Sequence, residues 1–434
     1  MPSSPATRVR FHVLAVVCSL SVVTFLDRVC IAGSAPLIMA DLRLTPVQMG
    51  GIFSAFAIAY ALFEVPTGWL GDRIGPRKVI TRIVVWWSFF TALTGLMSRF
   101  WSMAVVRFLF GAGEAGSYPN ATKVFARWMP RAERGLAMGI MWMCGRWGGA
   151  FAPALVVFLI TRMSWRSTFG VLGAIGMAWA GLFWIWFRDE PGEKQGVNDA
   201  EIELIMQGQG SAALSSGRHL AVPWMQLLRS ANLWAICLMY FCVCYGWFFY
   251  ITWLPASLTA RGTTMAQAGI YGGLPLLMGG IGAFVGGLLT DYVVKKTGRL
   301  TSRRYIGFAG FFLGSLFMLA SVRVQDPLAA VCVISLASFF GDLTLAGNWA
   351  VCMDAGRELA GTVSGCMNMF GNIAGFLFPL ITGAIVQRFG RWDLPILLSG
   401  AIFFFGALLW LRIDPAEPII PYQELDPGRA FTGD

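Results

Sequence analysis

Long apolar runs separated by short polar loops dominate the chain. Twelve of these runs are long enough to cross a bilayer, which takes roughly 20 apolar residues in a helix. They lie at about 11–37, 48–70, 79–98, 101–126, 136–161, 166–187, 231–257, 266–292, 305–323, 327–350, 359–387 and 394–412. Their length and their Gly, Ala, Leu and Phe content indicate helices, because a membrane β-barrel shows short alternating segments instead. The pattern predicts an all-α membrane protein with twelve transmembrane helices.

The only long polar loop separates the twelve spans into six and six. We therefore expect three parts, which are an N-terminal six-helix bundle at 1–187, a central cytoplasmic loop at 188–230 and a C-terminal six-helix bundle at 231–434.

The two halves repeat one another. Eight residues in and just before the fifth span recur 226 positions later, at the eleventh span. The matches pair Arg131, Gly135, Gly139, Met141, Met143, Gly145, Gly149 and Pro153 with Arg357, Gly361, Gly365, Met367, Met369, Gly371, Gly375 and Pro379. Eight matches in one register indicate two parallel, pseudo-symmetric six-helix bundles with a binding site between them, near mid-membrane.

Composition excludes the soluble classes of protein. Of the 434 residues, 56% are hydrophobic and 13% are charged, against about 45–50% and about 25% in soluble proteins. The net charge of +10 is explained by basic cytoplasmic loops that face anionic lipid, so it does not indicate nucleic acid. Lys and Arg are concentrated on the side of the N-terminus. This bias predicts a multi-pass membrane protein with both termini in the cytoplasm.

The loop after the second span carries a dense motif, Gly68-Trp-Leu-Gly71-Asp72-Arg73-Ile-Gly75-Pro-Arg77-Lys78. A weaker copy that contains Asp291 follows the eighth span. The motif resembles the signature loop of the major facilitator superfamily, G-x-L-x-D-R-x-G-R-R/K, which implies a carrier that works by alternating access. A glycine turn with a carboxylate and cations can bond helix ends of the other half and release them when the halves rock. The predicted gating loop comprises Gly71, Asp72, Arg73, Gly75 and Arg77.

Five charged residues inside the spans are the candidate chemistry, namely Asp27, Arg28, Arg107, Glu114 and Arg146. An isolated charge within a span costs several kcal/mol, so such residues face a partner or a wet cavity. Neighbouring residues on a helix point about 100° apart, so only one of Asp27 and Arg28 can aim straight into a cavity. Three arginines and two carboxylates leave one excess positive charge that an anionic substrate could neutralise. Fixed internal ion pairs are the alternative interpretation, and the part played by another membrane acid, Asp342, stays open.

The segments Phe25-Leu-Asp27-Arg28 and Arg107-Phe-Leu-Phe-Gly-Ala-Gly-Glu114-Ala-Gly-Ser-Tyr-Pro119-Asn resemble the anion:cation symporter family within that superfamily. Bacterial galactonate and hexuronate permeases belong to this family, so the resemblance implies a location in the bacterial inner membrane. The resemblance implies proton-coupled uptake of a small organic anion, a sugar acid or a related carboxylate. It also implies that Asp27 and Glu114 are proton sites. By the same resemblance Arg28 is the main ligand of the substrate carboxylate, and Arg107 tunes Glu114 or assists binding.

The eleventh span, which contains Asn368 and Asn372, is also similar to that family. Trp349 and Asn368 match positions that line its binding pocket, and we include Asn372 among the substrate-binding candidates. Arg146 departs from the small or amide residue of the galactonate permeases. This difference indicates a second anionic group on the substrate.

Competing classes of function are weaker. The runner-up is proton-driven export of a drug or metabolite, although three membrane arginines fit a cationic drug poorly. The chain shows no catalytic constellation, so we do not expect an enzyme. Nor do we expect a cofactor or a metal, because the cysteines lack zinc-type spacing and the one G-x-G-x-x-G match lies inside a span with no preceding strand. The expected partners are the anion, a proton and the lipid bilayer, with the monomer as the functional unit.

Overall fold

The computed structural model describes residues 5–206, 222–259 and 261–420. Within these ranges the chain forms twelve membrane-length segments, of which the fourth, seventh and tenth are each made of two consecutive helices. The bounds are α1 Val9–Leu42, α2 Pro46–Ile74, α3 Pro76–Thr94, α4 Phe100–Glu114 with Ser117–Trp128, α5 Arg134–Arg162, α6 Trp165–Trp186, α7 Ala231–Thr252 with Leu254–Thr259, α8 Met265–Thr297, α9 Ser302–Ser321, α10 Pro327–Leu343 with Leu345–Gly356, α11 Ala360–Phe389 and α12 Asp393–Trp410. The predicted number and order of spans are confirmed.

Nine of the described helices are, by length and composition, apolar enough to cross a membrane by themselves. The other three segments, α3, α4 and α5, are not among the nine. α3 carries Arg77, Lys78 and Arg82 in its first two turns, and α4 is divided after Glu114 into two helices that are each shorter than a bilayer span. α5 is long enough to span a bilayer.

A connector joins α6 to α7 and separates the two sets of six helices. Its first part forms a short helix, Asp199–Met206, and its residues 207–221 lie outside the described residues. Asn198 caps this helix by accepting a hydrogen bond from the backbone N–H of Glu201. The buried Glu201 in turn accepts two backbone N–H bonds from the start of α1. We call the end of the molecule where the connector meets α1 the connector side.

α4 breaks in the middle because Gly116 adopts a left-handed conformation with φ of 84°. A Cβ atom at this position would lie 2.5 Å from the side chain of Thr67 in α2, so a glycine is required. The break ends the first helix of α4 at Glu114 and starts the second at Ser117. Glu114 therefore lies at a helix end in the interior of the bundle.

α2 and α8 are built alike, as the predicted pseudo-symmetry requires. Thr45 with Gln48 and Thr264 with Gln267 form matching capping boxes at the two N-termini. Asp72 and Asp291 follow the two threonines at the same separation of 27 residues. The two carboxylates thus occupy corresponding places on the connector side.

The most extensive helix contacts between the bundles are those of α5 with α8 and of α2 with α11. One apolar cluster joins both bundles in the connector half of the molecule, around Trp128, Trp349 and Trp410. In the other half each bundle has a cluster of its own, with Phe169 in one and Phe249 in the other. The apolar core therefore holds the bundles together on the connector side.

Candidate substrate-binding site

A cavity of about 80 Å³ lies between the two bundles. Segments α1, α2, α4 and α5 line it from one bundle, and α7, α10 and α11 line it from the other. Its lining residues are Phe25, Arg28, Tyr60, Tyr118, Trp142, Arg146, Tyr240, Val243, Cys244, Trp247, Phe248, Asp342, Leu345, Asn368, Gly371 and Asn372. One buried water molecule needs about 10–15 Å³ of cavity volume. The cavity therefore has room for about five to eight atoms of the size of a water molecule.

Arg28 enters the cavity from α1. Its Nε forms a hydrogen-bonded ion pair with Oε1 of Glu114. The guanidinium carbon lies 4.6 Å from the ring centroid of Tyr60 and 5.8 Å from that of Tyr118, so the rings hold its plane in position. Its Nη2 is buried and has no hydrogen-bond partner among the described residues. Arg28 therefore brings a donor without a described partner to the wall of the cavity.

Asp27 points away from the cavity, as expected for a neighbour of Arg28 on a helix. Its side chain is buried and does not line the cavity. Oδ2 of Asp27 and Oε2 of Glu114 both lack a hydrogen-bond partner in the described part of the chain. The charges of Asp27, Glu114 and Arg107 act on one another electrostatically. These three groups form a buried layer behind Arg28.

Arg107 does not reach the cavity, contrary to its assignment as a substrate ligand. Its guanidinium carbon lies 4.1 Å from the ring centroid of Phe110 and 5.4 Å from that of Phe56. Nε and Nη1 of Arg107 are buried without hydrogen-bond partners in the described ranges. Aromatic rings thus separate it from the cavity lining. The other predicted role of Arg107, that of tuning Glu114, stays a prediction.

Arg146 reaches the cavity from α5 and makes a bidentate ion pair with Asp342 of α10. The Nε–Oδ2 and Nη2–Oδ1 distances are both 3.0 Å. The guanidinium carbon lies 4.5 Å from the ring centroid of Trp247. Both charged side chains are at least nine-tenths buried. The pair connects the two bundles directly at the cavity wall.

Asn368 and Asn372 both line the cavity from α11, as the sequence predicts. Nδ2 of Asn368 donates a hydrogen bond of 2.6 Å to Oε1 of Glu64, across the bundle boundary. Nδ2 of Asn372 donates to the backbone carbonyl of Asn368. Glu64 is fully buried, and its Oε2 has no partner among the described residues. Glu64 and Asn368 thus form a second polar contact between the bundles beside the cavity.

The prediction of one excess positive charge at the site is wrong. That count left out Asp342, which pairs with Arg146, and Glu64, which contacts Asn368. A buried guanidinium attracts a carboxylate from any part of the chain that the fold brings near it. With these two acids included, the site has no surplus of cations, so an anion must compete for Arg28 and Arg146.

Trp349 lies beneath the cavity instead of lining it. Its Nε1 donates a 3.2 Å hydrogen bond to the hydroxyl of Tyr240. Its ring packs against Trp142 at a centroid distance of 5.6 Å, and Trp142 is stacked on Tyr118 at 4.6 Å. These four rings come from both bundles and close the cavity toward the connector side. Trp349 therefore supports the cavity-lining rings.

Two carboxylates clamp the bundles together on the connector side. Asp72 accepts hydrogen bonds from two backbone N–H groups at the N-terminus of α11, at 3.1 and 2.6 Å. Asp291 accepts two from the N-terminus of α5, at 3.0 and 2.6 Å. A helix N-terminus favours a carboxylate through its free N–H groups and its dipole. The clamps are pseudo-symmetric, and each bundle supplies one carboxylate and one helix end.

The other residues of the predicted gating loop stay within their own bundle. The backbone N–H of Arg77 donates to Asp189, and its guanidinium donates to the carbonyl of Trp184. Arg73 lies over the ring of Trp69. A Cβ atom at Gly71 would overlap Asn120, and one at Gly75 would overlap Asp189. Asp72 alone among the five predicted loop residues has a described contact across the boundary.

Sequence reasoning left the part of Asp342 open and did not assign Glu64 to the site, although both acids are visible inside apolar spans. A charged side chain inside a membrane span costs free energy, and this cost was the available signal that both acids have a function. Within the described ranges no group of three His, Cys, Asp or Glu side chains is placed to hold a metal ion.

Comparisons with known proteins agree with this architecture. The profile of the Major Facilitator Superfamily matches residues 17–379. A probable sulfoacetate transporter of Cupriavidus necator is 37% identical over 415 residues, which are 94% of each chain. A probable galactarate/D-glucarate transporter of Bacillus subtilis is 32% identical over 446 residues, which cover 99% of this chain and 98% of the relative.

A solved structure of a proton:xylose symporter has the same fold. Its TM-score is 0.72 over 96% of this chain and 98% of that chain, at 15% identity. The names of the sequence relatives confirm the resemblance to anion:cation symporters. The protein is a multi-pass membrane transporter and not an enzyme, and the chain belongs to the Major Facilitator Superfamily.

Proposed function

We propose that the protein is a proton-coupled symporter that takes up a small organic anion into the bacterial cytoplasm. The substrate class is a sugar acid or a related small acid, such as those named for its relatives. The observation that carries the proposal is the donor of Arg28 without a described partner, at the wall of a cavity between two pseudo-symmetric bundles. One chain contains the complete cavity, so a monomer suffices.

Arg28 and Glu114 link the anion to the proton. In the empty site Arg28 is held by Glu114. A substrate carboxylate that binds the guanidinium by its planar fork weakens this hold. Glu114 is fully buried, and a buried carboxylate without its cation is costly, so it takes up a proton. Anion and proton therefore favour each other's binding reciprocally.

Asp27 is the second proton site of this proposal. It lies in the layer behind Arg28 and interacts unfavourably with the charge of Glu114. Two neighbouring buried carboxylates disfavour each other's charged form, so the pair favours holding a proton. Arg107 interacts with both acids and is the positioning residue of the pair.

Alternating access follows from the clamps on the connector side. The positive-inside bias assigns this side to the cytoplasm. Asp72 and Asp291 keep it closed in this structure, and their hydrogen bonds must break when the bundles rock. The substrate then leaves on that side. Both clamps use helix ends, so they can re-form without rearrangement inside a bundle.

Removal of one clamp charge is expected to loosen the closed state. In Asp72→Asn the N-terminus of α11 loses its carboxylate, and Lys123 loses an ion pair of 3.2 Å. Spin labels at Lys78 and Lys296, two exposed positions on opposite bundles, should show a shift to longer distances in a cysteine-depleted background. Asp291→Asn should act in the same direction. Asp41→Asn, whose ion pair to Arg166 lies within one bundle, should leave the distances unchanged. An unaltered distribution in both clamp variants would reject the gating role.

Transport by the purified protein tests the proposal directly. Proteoliposomes that contain only this protein should accumulate radiolabelled sulfoacetate or D-glucarate when the outside is acidic. A protonophore should abolish the accumulation, whereas cationic drugs should not compete. Flux of these anions that is indifferent to the pH gradient contradicts proton coupling. Absence of flux for both anions, together with absence of binding, contradicts the substrate class.

A further inference from the structure

The ion pair between Arg146 and Asp342 is not used by the proposed coupling of Arg28 and Glu114. It lies in the wall of the same cavity, and its two members come from different bundles. Both are buried, so each depends on the other for compensation of its charge. Such a pair either locks the bundles together permanently or exchanges partners when the cavity is filled.

The guanidinium of Arg146 has the geometry of an anion-binding site, and the carboxylate of Asp342 occupies it. Two N–H groups of its guanidinium meet the two oxygens of Asp342 at equal distances of 3.0 Å. A free carboxylate or sulfonate can make the same two bonds. The ring of Trp247 supports the guanidinium from α7, at 4.5 Å. Arg146 therefore stays oriented when Asp342 is replaced by another anion.

The surroundings of Asp342 leave it little freedom. A Cβ atom at Gly279 of α8 would lie 2.3 Å from its Oδ2, so the carboxylate fits a space that only a glycine provides. The packing against Gly279 therefore fixes the position of the Asp342 carboxylate beside Arg146.

We propose that Arg146 binds a second acidic group of the substrate, and that the Asp342 carboxylate occupies the position of this group when the site is empty. The transporter then selects small anions with two acidic groups over those with one. This inference rests on the proposed function, in which Arg28 binds the first acidic group. The second acidic group replaces Asp342 on the fork of Arg146.

This exchange has a mechanical consequence. Arg28 and Arg146 belong to the same bundle, on α1 and α5, whereas Asp342 belongs to the other bundle. A substrate held by both arginines is bound mainly to one bundle. Its binding removes an ion pair that joins the two bundles at the cavity. Substrates with two acidic groups thus release a contact that substrates with one acidic group leave intact.

Opposite effects of two substitutions test the inference. Binding to purified protein is measured for two ligand pairs, sulfoacetate with isethionate and D-glucarate with D-gluconate. In each pair one carboxylate is replaced by a hydroxymethyl group. The wild type should prefer the diacid of each pair. Arg146→Gln should reduce this preference by roughly 10- to 100-fold, because charged hydrogen bonds to the second acidic group are lost. Asp342→Asn should raise it, because the competing carboxylate is removed.

The double variant Arg146→Gln/Asp342→Asn lacks both charges and leaves no buried charge unpaired, so it retains the fold if either single variant is unstable. It should bind diacids and monoacids about equally. Arg166→Gln and Asp41→Asn, which disrupt a different ion pair, should leave the preference of the wild type unchanged.

The outcomes separate this inference from the proposed function. A wild type that binds none of the four anions overturns the substrate class, and the inference with it. A wild type that binds anions but shows the same preference in every variant overturns only the inference. A loss of diacid binding in Asp342→Asn equal to that in Arg146→Gln shows a structural lock and also overturns it.

Discussion

Glu114→Gln is expected to abolish accumulation of the anion driven by a pH gradient, while exchange of internal for external substrate continues. Glutamine keeps the shape of Glu114 and its ability to accept a hydrogen bond from Arg28. It cannot take up a proton, so binding of the anion no longer draws a proton into the site. The measurement compares gradient-driven uptake with counterflow in the same proteoliposomes. The accumulation ratio should fall to one, whereas counterflow should persist.

The matched control is Glu190→Gln, the same substitution in another Glu–Arg pair. Glu190 pairs with Arg127 at 3.1 Å, outside the cavity. This variant should accumulate substrate as the wild type does. Asp27→Asn should resemble Glu114→Gln, because both acids lie in the buried layer behind Arg28. Full accumulation in both Glu114→Gln and Asp27→Asn would refute the proton assignment.

The sequence is a good guide to the scaffold because hydropathy and internal repetition are local or periodic properties. Twelve apolar runs predict twelve segments without any knowledge of how they pack. The motif around Asp72 predicts a contact with a helix end, and the structure shows it. A carboxylate in a short loop has few partners to choose from, and the free N–H groups of a helix start are among the best.

The contacts inside the cavity could not be predicted in this way. Arg146 and Asp342 are 196 positions apart and lie on different bundles. Their pairing depends on the rotation of α5 and α10 about their axes. A membrane helix that is apolar on most faces carries little information about that rotation, because lipid and protein interior are similar environments for its side chains.

Arg107 and Trp349 show the same limit. Both lie on segments that border the cavity, yet both are held one layer away from it. Arg107 is separated from the cavity by the rings of Phe56 and Phe110, and Trp349 by Trp142 and Tyr118. A motif identifies the segment, whereas the packing of large aromatic side chains decides which residue of that segment reaches the cavity.

Arg28→Ala is expected to abolish binding of the anion, with a loss of affinity of roughly 100-fold or more, since at least two charged hydrogen bonds to the substrate disappear. Isothermal titration with sulfoacetate or D-glucarate measures the loss. Arg28→Lys should weaken binding less, because a lysine keeps the charge but not the planar fork. Arg82→Ala, which removes an exposed arginine at the start of α3, should bind as the wild type does.

The loss in Arg28→Ala must be separated from the effect of a stranded Glu114. Without Arg28 the fully buried carboxylate of Glu114 has lost its ion-pair partner, and the protein itself is destabilised. The double variant Arg28→Ala/Glu114→Gln removes both charges and restores the balance. It should regain the thermal stability of the wild type but not its affinity. If the double variant binds the anion as tightly as Glu114→Gln alone does, Arg28 only neutralises Glu114 and the substrate carboxylate is bound elsewhere in the cavity.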